Sequence, residues 1–177
     1  MKKILLWALL ALFAQSAIGA TEEHRSASLH FFQVGFGDLP EEMELAAAEG
    51  KHGLFLMFSA EDCPPCIRMK ENIMSLPHVQ EYYRKHFRVF EIDFNGDVEV
   101  TTLSGETMRS KDYSTKVARV IGTPTVVFVT LDGQEVVRRA GGITDVDEFM
   151  RLAQFVVSGE YRNRSFADFR KQGAATQ

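Results

Sequence analysis

The chain holds two cysteines, Cys63 and Cys66, in the stretch FSAEDCPPCIRMK (58–70), and only Pro64 and Pro65 stand between them. Thiols this close can form a structural staple, contribute to a metal clip, or cycle between dithiol and disulfide. A staple is a poor use of the spacing, because the gain from closing a loop grows with loop length and the strain of so small a ring opposes it. Strain also makes such a bond easier to reduce. A closed zinc site wants four ligands, and His24, His30, His52, His78 and His86 are not spaced as a partner pair. The residue types favour exchange chemistry, with a metal clip and an inert disulfide as the alternatives. No metal is expected, and no cofactor besides the redox-active pair itself.

Such chemistry depends on where the sulfurs sit. LFLMFS (54–59) is a short continuous apolar run, the pattern of a strand buried on both faces, though period alone does not separate it from a buried helix. From Pro64 onward, Ile67, Met69 and Ile73 interleaved with Arg68, Lys70 and Glu71 predict a helix. Cys63 then falls at the N-cap, the two prolines in the first turn and Cys66 at the third helical position. Residues three apart lie on one side of a helix, at a separation a disulfide can bridge. The positive end of the helix dipole lowers the pKa of the leading sulfur, so Cys63 is the expected nucleophile and Cys66 the resolving thiol.

Local features act against that thiolate. Pro64 and Pro65 lack an N–H, which leaves the Cys66 amide as the one early donor. Asp62 and Glu61 add like charge nearby. A weakly stabilised thiolate gives up electrons readily, which predicts a reducing poise.

The elements that must hold this site follow in order. Asp38 with Glu41 three positions on reads as a capped helix start, running to about Gly50. Ser75 and Pro77 read as the cap and first turn of another helix reaching Lys85, and RVFEIDF (88–94) as a strand. The polar segment 95–111 predicts a small hairpin turning at Ser104 and Gly105, followed by a short helix ending at Gly122. TVVFVT (125–130) and QEVVRRA (134–140), joined by LDG, form the clearest hairpin. A last helix from about Thr144 places Val146, Phe149, Leu152, Phe155 and Val156 on one stripe, and Tyr161, Phe166 and Phe169 of the tail are expected to dock on the body. The order implies an α/β fold with one mixed sheet between helices.

Composition bounds the rest. At 177 residues and 45% hydrophobic content, one domain with a sizeable core is expected. Residues 1–20 carry Lys2 and Lys3, an apolar run and a small-residue end, the layout of a signal peptide cleaved after Gly19 or Ala20. The run is too short to span a bilayer. Cleavage removes two lysines and no acid, moving the formal charge from −4 to −6 (−4 − 2), and an acidic surface does not suit nucleic acid. Export, read here as periplasmic, places the thiols in an oxidising compartment.

The CxxC after a buried strand, VIGTPT (120–125) and the hairpin VVFVTLDGQEVVRRAGG together resemble the thioredoxin family over roughly residues 38–158. The signal peptide, the N-terminal helix that follows segment 21–37, the insertion 95–111 and the tail 161–177 look most like exported SoxW-type thioredoxins. The resemblance implies a thioredoxin-like fold with domain limits near 38 and 160, and thiol:disulfide oxidoreductase activity on cysteine-containing exported clients. It also implies a monomer and a membrane electron donor of the DsbD or CcdA type. A cis proline at Pro124 and a backbone at Thr123 that pairs with an extended client are implied likewise. Two positions depart from the family: Asp62 replaces the usual Trp, and Met57 replaces the buried Asp that relays the resolving thiol's proton. Water or another carboxylate, Glu61 being one, must then serve. A disulfide oxidase or isomerase of the same fold and a non-enzymatic client-binding module are the alternative readings.

Overall fold

A computed structural model describes residues 23–34 and 37–174; the expected signal peptide lies outside the described residues. In chain order the elements are α1 (Ala27–His30), α2 (Leu39–Ala48), β1 (Gly53–Ser59), α3 (Pro64–Asn72), α4 (Pro77–His86) and β2 (Arg88–Asp93). Then come β3 (Glu99–Thr101), β4 (Thr107–Arg109), α5 (Ser110–Asp112), a π-helical turn (Tyr113–Val117), β5 (Thr125–Thr130) and β6 (Glu135–Ala140). The chain closes with α6 (Val146–Val157), a 3-10 turn (Glu160–Arg162) and α7 (Phe166–Ala174).

The main sheet has the order β2-β1-β5-β6, with β1 and β2 parallel and the other two pairings antiparallel. It is the mixed sheet the sequence predicts. All of β1 is buried, because both of its faces meet helices. Its alternating side chains feed two cores: Phe55 and Met57 join the aromatic core under α3, α4 and α6, while Leu54, Leu56 and Phe58 join the one under α2 and the π turn. Gly53 opens β1 where a Cβ would stand 2.0 Å from the Val129 carbonyl oxygen.

Asp38 caps α2, its carboxylate accepting from the Glu41 amide at 2.9 Å. The hairpin β3–β4 turns where expected, closed by the Gly105 amide donating to Thr102 O at 2.9 Å. Two local readings are corrected. Ser75 does not cap α4: its hydroxyl donates back to Glu71 O and lies 2.6 Å from His24 Nδ1, and Leu76 holds the cap position ahead of Pro77. The short helix after β4 does not reach Gly122. It widens into the π turn, and Arg119, with φ of 51°, ends it. The tail docks as expected, Phe155 holding the rings of Phe166 and Phe169 at 5.6 and 5.1 Å.

Candidate active site

The site forms where β1 ends and α3 begins. The apolar run stops at Ser59, and Ala60, Glu61 and Asp62 turn the chain. Pro64 and Pro65 start the helix because their fixed φ suits its first turn and their missing N–H groups break no intrahelical hydrogen bond there. Cys63 is the N-cap residue, its Sγ accepting from the Cys66 amide at 3.3 Å. The two sulfurs are bonded, with their Cα atoms 5.2 Å apart. Cys63 is 5% exposed and Cys66 is fully covered, so the leading cysteine is the less enclosed of the two. That asymmetry fits an attacking sulfur and an internal resolving one.

A second loop meets this helix end. The Thr123–Pro124 bond is cis, and Pro124 O accepts from the Gly141 amide at 2.9 Å. The next residue, Gly142, lies so near the first turn of α3 that a Cβ there would stand 3.1 Å from Pro65 Cβ. The cis turn, the 141–142 loop and the start of α3 therefore converge. Thr123 is half-buried, and among the described residues its backbone makes no hydrogen bond, while Thr125 Oγ1 donates to Gly122 O at 2.7 Å and fixes the turn. Next to it, Ile121 is almost fully exposed.

Glu61 and Asp62 are exposed at the rim. Met57 is fully buried in the same core as Cys63 and Cys66, so an apolar side chain fills the place where the family resemblance expects a carboxylate. Linear spacing did not single out a polar cluster one strand away. Lys70 Nζ donates to Glu91 Oε1 at 2.9 Å, and Ser59 Oγ donates to the same oxygen. The available signals were the i, i+4 relation of Cys66 to Lys70 and the alternation of Glu91 with Val89. Among the described residues, no group of three or more His, Cys, Asp or Glu side chains gathers as a metal site.

Residues 39–156 match the sequence profile of the Thioredoxin-like domain family. The chain belongs to the thioredoxin-like family. Among curated proteins none matches it significantly. Among solved structures it is similar to a thioredoxin-fold protein from Helicobacter pylori, with TM-score 0.62 and 19% identity over 85% of this chain and 92% of the other. It is similar to a thioredoxin from Thermus thermophilus, with TM-score 0.52 and 29% identity over 69% of this chain and 85% of that one. A candidate disulphide-isomerase from Bacteroides thetaiotaomicron gives TM-score 0.52 and 24% identity over 71% of this chain and 94% of the other. The fold of that family and a bonded CxxC pair are both present here.

Proposed function

We propose that the protein is an exported thiol:disulfide oxidoreductase of the SoxW-like kind, reducing disulfides of other exported proteins. The observation that carries this is the bonded pair at the head of α3, with Cys63 at the helix cap the less enclosed and Cys66 fully covered. Similarity to the Thermus thermophilus thioredoxin supports it.

In the forward cycle the Cys63 thiolate attacks a client disulfide, forming a mixed disulfide and releasing one client thiolate. Cys66 gives up its proton and attacks Cys63 Sγ, which closes the internal disulfide and frees the second client sulfur. The client gains two electrons and the cysteine pair loses them. The unpaired backbone of Thr123, beside the buried Pro124, is suited to accept an extended client segment by strand addition. Asp62, Glu61 and the two prolines leave the Cys63 thiolate weakly stabilised, which favours donation of electrons. A reductase in an oxidising compartment has to be recharged, so the reading includes a membrane donor of the DsbD or CcdA type.

The test is Cys66→Ser in cells, which should freeze the mixed disulfide at Cys63 and identify clients by mass. Equilibration with glutathione or dithiothreitol sets the direction: a potential above roughly −150 mV overturns the reductase assignment in favour of an oxidase. A binding module without redox chemistry would keep its function after both cysteines are replaced.

A further inference from the structure

We propose that Glu91, held by Lys70 and Ser59, accepts the proton of Cys66 when that thiol resolves the mixed disulfide. The assignment rests on the oxidoreductase reading and deepens it. Cys66 is fully covered, so its proton has no direct exit to bulk water. A neutral thiol is a poor nucleophile, and resolution needs a base within reach or one water away.

The strand beneath the cysteines supplies none, because Met57 occupies it. Beside Met57 in the parallel register stands Glu91. Neighbouring strands lie about 4.8 Å apart, so the carboxylate is displaced by one strand and stays in the same layer. Glu91 follows Val89 by two positions and therefore projects to the face of β2 that packs in the cysteine core. Its contacts agree: Oε1 accepts from Lys70 Nζ of α3 at 2.9 Å and from the Ser59 hydroxyl of β1.

Lys70 is four residues beyond Cys66, which puts the two side chains on one face of α3 with Cβ atoms about 6 Å apart. Lys70, Glu91, Ser59, Ala60, Glu61 and Asp93 line an open cleft of about 310 Å³. Its polar walls suit water that can bridge groups and carry a proton outward. Glu91 is about one-quarter exposed, so it can pass that proton on to solvent between turnovers. In the step, the Cys66 S–H bond breaks, the proton passes to Glu91, and the Cys66 electron pair forms the bond to Cys63 Sγ. The client sulfur leaves with the Cys63–client bonding pair.

The two sulfurs can be timed separately. Reduced protein mixed with equimolar dithiobis(nitrobenzoate) releases one thionitrobenzoate when Cys63 attacks and a second when Cys66 resolves. Glu91→Gln keeps the side chain's shape and should leave the first phase unchanged while slowing the second at least about tenfold at neutral pH. The gap should narrow as the pH rises, because hydroxide then takes the thiol proton without help from the carboxylate. Circular dichroism and the thermal midpoint of each variant establish that the fold is intact, and Ser59→Ala, which leaves the charge pair in place, should give a smaller deficit with the same pH trend. An unchanged second phase in folded Glu91→Gln, a deficit that ignores pH, or a larger deficit in Glu61→Gln overturns the assignment. A wild-type protein that releases no second equivalent overturns the oxidoreductase reading, and this assignment with it.

Discussion

Pro65 occupies the second helical position of α3, where most residues would turn an N–H toward the capping atom. Here only the Cys66 amide reaches Cys63 Sγ. Pro65→Ala should therefore add a donor, favour the thiolate over the thiol, lower the Cys63 pKa and raise the reduction potential. A hydrogen bond to a charged group contributes about 1.5 kcal/mol, which corresponds to about 30 mV for a two-electron couple. Glutathione equilibration of the two proteins measures the difference, and an unchanged or lower potential would mean that the prolines do not restrain the thiolate. Asp62 belongs to the same scale: it stands exposed beside Cys63, and Asp62→Asn should shift the potential in the same direction by less, because exposed charges are well screened.

Among the elements, β1 carries the tightest constraint. A side chain at Gly53 would meet the Val129 carbonyl at 2.0 Å and Thr130 Cα at 2.9 Å, backbone atoms that cannot swing away. Gly53→Ala should cost about 3 kcal/mol or more, read as a lower urea midpoint, because β5 would have to shift as a unit. The contact between Gly142 and Pro65 is looser at 3.1 Å, so Gly142→Ala should fold and press on the head of α3. A disulfide-reduction assay should register that pressure before a melting curve does. Local pattern is what made the elements readable: the unbroken run of 54–59, the Asp38 cap, the loop at Leu131–Gly133 and the stripe of α6 each depend on neighbours within a few residues. The Cys63 cap and the third-position Cys66 followed from the same local rules. The Glu91–Lys70 pair depends on how β2 registers against β1 and on how α3 lies across both, and no short window of sequence carries that information. The π turn was hidden for a related reason, since Ser110–Val117 contains no Gly or Pro to mark the change of pitch.

Over the whole molecule, stability should depend on alkaline pH through Tyr113. Its phenol is pushed up to about 12 by burial, with Glu135 adding to the rise and Arg138 opposing it. The folded value exceeds the unfolded one of about 10, so the unfolded chain loses its proton first. The stabilisation is complete below about pH 10 and is lost as the pH rises toward about 12, a span worth about 3 kcal/mol. Tyr113→Phe should flatten that part of the urea-midpoint profile. Tyr83, fully buried, adds a fall of the same sign. The far end of the chain contributes more modestly: Phe169→Ala removes a half-buried ring from Phe155 and should lower stability by about 1 kcal/mol, measurable by denaturant titration.

The near end is less dispensable. Phe31 is completely enclosed, its ring 5.3 Å from Tyr83, 5.8 Å from Phe55 and 6.2 Å from Phe149. It precedes every strand among the described residues, yet one of its neighbours belongs to α6, which follows all of those strands. A polypeptide emerging vectorially from the ribosome or a translocation pore therefore cannot complete this core piecemeal. Phe31 must wait, unsheltered, until α6 has arrived.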